Sequence, residues 1–214
     1  MRKRLLIFLA FFLSFALVAG ATLAWFEFSY NRPITIRPGD FDIEIDVYFD
    51  DVLLTSNESF YDASTGLLTI NAFDVNATNY IGDLKVVIRV SAHNDARVRV
   101  RIQDEWRLIR TYTNEEETVF VIPSEERDLT GFASRYQIGS EFFNRPEDVF
   151  FYYDGLITDD EVLELTFLDG GTPYPILITD TFTERVFITF SIYVDVVQAN
   201  RIVDVWQVEA TLFD

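Results

Sequence analysis

The residues able to do chemistry are few in kind. The chain has 214 residues, with 35 Asp+Glu, one His and no Cys. Without thiols there is no disulfide scaffold, thiolate metal site or cysteine nucleophile. A single imidazole excludes a multi-histidine zinc site and the paired histidines of a metalloprotease helix. That imidazole, His93, stands in Ser91-Ala92-His93-Asn94-Asp95-Ala96. A Ser/His/Asp triad would have to use it, but no serine nearby occupies a recognisable nucleophile setting. It reads as a polar turn histidine between two strands. The sequence holds no GxGxxG, P-loop or GxSxG, and no catalytic residue is assigned.

The carboxylates are the remaining candidates. Asp50-Asp51 and Asp159-Asp160-Glu161 are hard-oxygen clusters of the kind that can hold calcium, although neither sits in a twelve-residue EF-type loop. The alternative is two solvated acidic loops and no bound cofactor. A carboxylate pair for glycoside hydrolysis needs a set separation in a cleft, so a hydrolase is the last-ranked reading. With 17 Lys+Arg the net charge is −18, which would repel a phosphate backbone and argues against nucleic acid as a partner. Chemistry is therefore scarce, and binding or assembly is the function class left.

The elements that would position these residues fall into two parts. Residues 1–24 read as a signal peptide: Arg2-Lys3-Arg4, an apolar run from Leu5 to Val18 broken only by Ser14, then small residues with cleavage after Ala21 or Ala24. An uncleaved leader would instead be a membrane anchor, since Leu5 to Phe26 is long enough to span. Cleavage leaves 14 of the 17 basic residues against the same 35 acidic ones, a net charge of −21. Export of a large domain without cysteine points to a bacterial cell surface or matrix.

From residue 25 to 214 the period is two. Phe41, Ile43, Ile45, Val47 and Phe49 alternate with acidic neighbours, and Val98, Val100 and Ile102 alternate with Arg97, Arg99 and Arg101. Further strands are expected at Leu84 to Val90, Thr118 to Ile122, Val149 to Tyr153, Val162 to Phe167, Tyr174 to Ile178, Phe187 to Val197 and Trp206 to Leu212. Only 123–146 lacks the pattern, and it reads as a partly helical insertion. About nine or ten strands predict a single all-β domain, an antiparallel β-sandwich of jelly-roll type.

Three patches, in order, resemble the TasA/camelysin family of exported bacterial proteins. They are the junction Gly20-Ala21-Thr22-Leu23-Ala24-Trp25-Phe26, the run Phe150-Phe151-Tyr152-Tyr153-Asp154-Gly155-Leu156-Ile157 followed by Leu163 to Leu168, and Ile188 to Asn200 with Val205-Trp206 after it. The resemblance implies a jelly-roll subunit of secreted biofilm-matrix fibres. The metalloprotease activity ascribed to some members would need a zinc motif that this sequence lacks.

The residues also offer their own assembly route. Cleavage would expose Trp25-Phe26-Glu27-Phe28-Ser29-Tyr30, with Phe26, Phe28 and Tyr30 on one face. Such a strand can add to a sheet of the next copy, and a head-to-tail contact of this kind does not close. Pairing within its own domain is the alternative. Expected partners are therefore copies of the chain itself, together with cell-wall or matrix components. A glycan-binding adhesin using exposed aromatics is the competing function.

Overall fold

The computed structural model describes residues 41–56, 58–62, 64–123, 135–145, 148–158 and 162–213. The leader with Ala21 and Ala24, the expected strand bearing Phe26, Phe28 and Tyr30, the acidic triplet Asp159-Asp160-Glu161 and half of the expected insertion lie outside these residues.

Twelve strands are described: β1 (Phe41–Phe49), β2 (Val52–Leu53), β3 (Tyr61–Asp62), β4 (Leu67–Asn71), β5 (Leu84–Ala92), β6 (Ala96–Tyr112), β7 (Glu117–Pro123), β8 (Tyr136–Ile138), β9 (Phe142–Asn144), β10 (Phe150–Tyr153), β11 (Leu163–Gly171) and β12 (Phe182–Gln198). They form two antiparallel sheets. The first has the order β2-β1-β5-β11-β8. The second runs β3-β4-β12-β6-β10-β9, with β7 also paired to β6. The all-β sandwich follows from the period-two pattern, because each strand gives one apolar face to the space between the sheets.

The spine of the second sheet is the pair β6 and β12. Each is 17 residues long, and they pair without a register break from Ala96↔Gln198 to Tyr112↔Phe182. Their even-numbered residues face inward. Val98, Val100, Trp106, Val186, Ile188 and Phe190 are buried against Val86, Ile88 and Val90 of β5 and Leu165 and Phe167 of β11. Strands of the first sheet reach only 9 residues, so the β6–β7–β12 end of the second sheet projects beyond them.

Asp104 also faces the core, where it accepts from the Trp106 indole and the Tyr136 hydroxyl, each at 2.9 Å. A buried carboxylate is tolerable only with donors of this kind around it.

Two expectations need correction. Tyr174 to Ile178 is not a strand; only an isolated bridge, Ile178↔Thr183, forms there. Pro173 and Pro175 flank the start of that run and offer no N–H to a ladder. Trp206 to Leu212 is not a strand either. The chain makes a 3-10 turn, then helix α1 (Ile202–Trp206), and ends in a second 3-10 turn at Ala210–Phe213. Ile202 and Trp206 lie four apart and are both buried, the spacing of a helix face rather than a strand. Within 123–146 the described residues include β8 and β9, and the stretch 124–134, where the helical part is expected, lies outside the described residues.

Candidate functional site

β12 is hydrogen-bonded to β6 over its whole length, but its other edge is only partly used. Ile178 bridges Thr183, and β4 pairs with Phe187 to Phe190. From Ser191 to Gln198 that edge has no partner strand among the described residues.

β1 repeats the arrangement in the first sheet. Its inner neighbour β5 pairs with every residue from Phe41 to Phe49, whereas β2 reaches only Tyr48 and Phe49. The rest of the outer edge is open among the described residues. The two open stretches border the same side and end of the sandwich. Phe49 of β1 meets Phe60, just before β3, edge-on at 5.6 Å, which brings the β1 and β3–β4 sides together. At the opposite end of β1, Phe41 is opposite Ala92. From there a short turn leads to Ala96, opposite Gln198.

The side chains in this gap are apolar. Ile43 and Ile45 share the inward parity of Phe49, yet they are 38% and 41% exposed. The alternation in the sequence predicts burial for both, and it fails because, among the described residues, β4 and β12 leave no strand of the second sheet opposite them. Ile192, Val194 and Val196, the inward residues of the open β12 stretch, are only partly buried. An amphipathic strand laid along β12 would gain a full ladder of backbone hydrogen bonds. It would also finish burying these residues, each worth about 1 kcal/mol or more.

The outer surface beside the gap is acidic but tied down. Arg89 of β5 reaches Asp46 of β1 and, at 2.7 Å, Glu164 of β11. The hydrogen bond to Glu164, with Asp46 close by, holds the Arg89 pKa above its ordinary value. One cation thus clamps three strands, with Glu44 at the edge of its reach at 3.8 Å, and leaves Asp42 in solvent.

The other candidates are dispersed. Asp50 and Asp51 form the β1–β2 turn, both in the left-handed region (φ 50° and 59°) and both exposed. No group of three or more metal-ligating side chains converges among the described residues. His93 is exposed in the turn between β5 and β6. The aromatic run Phe150 to Tyr153 is covered on both faces. Phe151 and Tyr153 face the main core, while Phe150 and Tyr152 join a second cluster under α1 with Trp206 and Phe213. It provides no open platform for stacking on a sugar.

Sequence reasoning missed the gap itself. β1 and most of β12 are visible in the sequence, but β4 is not among the expected strands, and where it stops against β12 is a property of the folded sheet. No family model, curated protein or solved structure matches this chain.

Proposed function

We propose that this jelly-roll-like sandwich is an exported structural protein that self-assembles into fibres of an extracellular matrix or cell surface. After removal of the leader, residues 25–31 of one copy add as a strand to the open β12 edge of the next. Phe26, Phe28 and Tyr30 settle between Ile43 and Ile45 on one side and Ile192, Val194 and Val196 on the other. The observation that carries this reading is the strand-sized gap: one edge of β12 from Ser191 to Gln198 has no partner strand among the described residues, beside half-exposed isoleucines. An open edge with an apolar floor is a liability that soluble sheets normally cover. Here the sequence supplies a strand of matching pattern to cover it.

Electron microscopy of the purified chain tests the proposal. Filaments are expected from the parent and none from Phe26→Asp with Phe28→Asp, which would bury unpaired charge. Equal filaments from both would overturn it. A folded monomer from the parent would show that the segment fills the gap of its own domain.

A further inference from the structure

The projecting end of the second sheet carries a different open edge. β7 pairs with β6 from Glu105↔Pro123 to Thr111↔Glu117, and its other side has no strand among the described residues. Three consecutive residues there, Val119, Phe120 and Val121, are 48%, 41% and 48% exposed. A run of exposed apolar residues on an edge strand is an aggregation hazard unless something pairs with it.

The edge is neutral in a strongly acidic molecule. The one charge on β7, Glu117, is held by Arg185 at 2.6 Å. On the other face Arg110 pairs with buried Glu184 at 2.6 Å and lies over the rings of Phe120 and Phe182. Along β7 itself, two copies that repel elsewhere can approach without setting like charges against each other.

The backbone is also arranged for self-pairing. The Tyr112 N–H donates to the Glu116 carbonyl at the hairpin turn. Alternation along the ladder then turns the N–H and C=O groups of Glu117, Val119 and Val121 outward. An antiparallel mate centred on Phe120 sets Val119 opposite Val121, a hydrogen-bonded pair, and Glu117 opposite Pro123. Pro123 has no N–H to give but can accept at its carbonyl. Phe120 meets its own symmetry mate at a position without cross-strand hydrogen bonds, where side chains come closest. Valine pairs and an aromatic pair are favourable cross-strand neighbours.

We propose that β7 pairs with β7 of a second copy about a two-fold axis through Phe120. The contact is isologous and closes on itself, unlike the head-to-tail contact proposed above, and it joins two copies or two filaments side by side. It is independent of residues 25–31.

Single-cysteine variants test it cleanly, because the chain has no cysteine of its own. All carry Phe26→Asp and Phe28→Asp, so that failure of the head-to-tail contact has no bearing on the result. Under mild oxidation Phe120→Cys should form a disulfide dimer at least about tenfold faster than Thr118→Cys or Ile122→Cys, since only residue 120 lies opposite itself at a bridgeable spacing. The double variant Thr118→Cys with Ile122→Cys should recover cross-linking. Equal rates at the three single sites, or none at 120, would overturn the proposal. Val121→Pro removes an outward N–H while leaving the β6 pairing intact. Sedimentation should show it monomeric with an unchanged circular dichroism spectrum, and a dimer as strong as the parent's would count against the two-fold.

Discussion

The Trp206 indole N–H donates to Asp195 Oδ2 at 2.8 Å, joining helix α1 to the C-terminal end of β12. The same oxygen accepts from Arg99 Nε and Nη2, at 2.9 and 2.8 Å. The Arg99 guanidinium lies over both the Phe150 and Trp206 rings. One carboxylate therefore links β6, β12 and the C-terminal segment on the outer face of the second sheet.

Removing that carboxylate should release the C-terminus. Asp195→Ala strips Arg99 of its carboxylate partner and is expected to cost about 2–3 kcal/mol, whereas Trp206→Phe keeps an aromatic ring but loses one hydrogen bond, about 1 kcal/mol, and adds a small cavity cost. Urea denaturation gives both values. Proteolysis after residue 198 should accelerate in the first variant and hardly change in the second.

Asp104 should be more sensitive than any surface acid. Asp104→Leu leaves the Trp106 indole and the Tyr136 hydroxyl facing a side chain that cannot accept. A loss of at least about 2 kcal/mol is expected, read from the denaturation midpoint. Asp42→Leu, at an exposed position on β1, should change stability by less than about 0.5 kcal/mol.

The fold should weaken in alkali. Burial, then the hydrogen bond to Asp148, raises the Tyr152 pKa above 10.0; burial, then the charges of Glu141 and Asp154, does the same for Tyr153. Above pH 10 the unfolded chain releases these protons more readily than the folded one. Stability is then fully present below that pH and falls as pH rises through the folded values. Tyr152→Phe should flatten the slope above pH 10 in a series of denaturation curves.

Assembly should depend on screening. With a net charge of −18 on the full chain, copies repel. Filament formation should be faster at about 1 M salt, where the screening length is about 3 Å, than at about 0.01 M, where it is about 30 Å. The two halves of the proposed contact can also be separated. Ile45→Asp spoils the acceptor gap, and Phe26→Asp with Phe28→Asp spoils the donor. Neither variant alone should elongate, and in the Val121→Pro background, which removes the β7 contact, their mixture should stop at a pair of unlike copies, resolved by sedimentation.

Much of the sandwich was legible in the sequence because period-two alternation survives wherever one face is buried. That holds for β1, β5, β7, β10, β11, the first part of β6 and most of β12. The full length of β6 was not legible, since Asp104 and Arg110 occupy inward positions that the pattern reserves for apolar residues. Strands β2, β3, β8 and β9 have only two or three residues each, too few to show a period. The candidate site was legible by half. The apolar residues at 43, 45, 192, 194 and 196 are plain in the sequence, but their exposure comes from a neighbour that ends early.

The 17-residue ladder between β6 and β12 has a mechanical consequence. Tension applied along these strands loads all of their cross-strand hydrogen bonds at once, in shear, instead of peeling them one by one. A filament whose pull runs through β12 would therefore yield at the joints between copies before its subunits unravel.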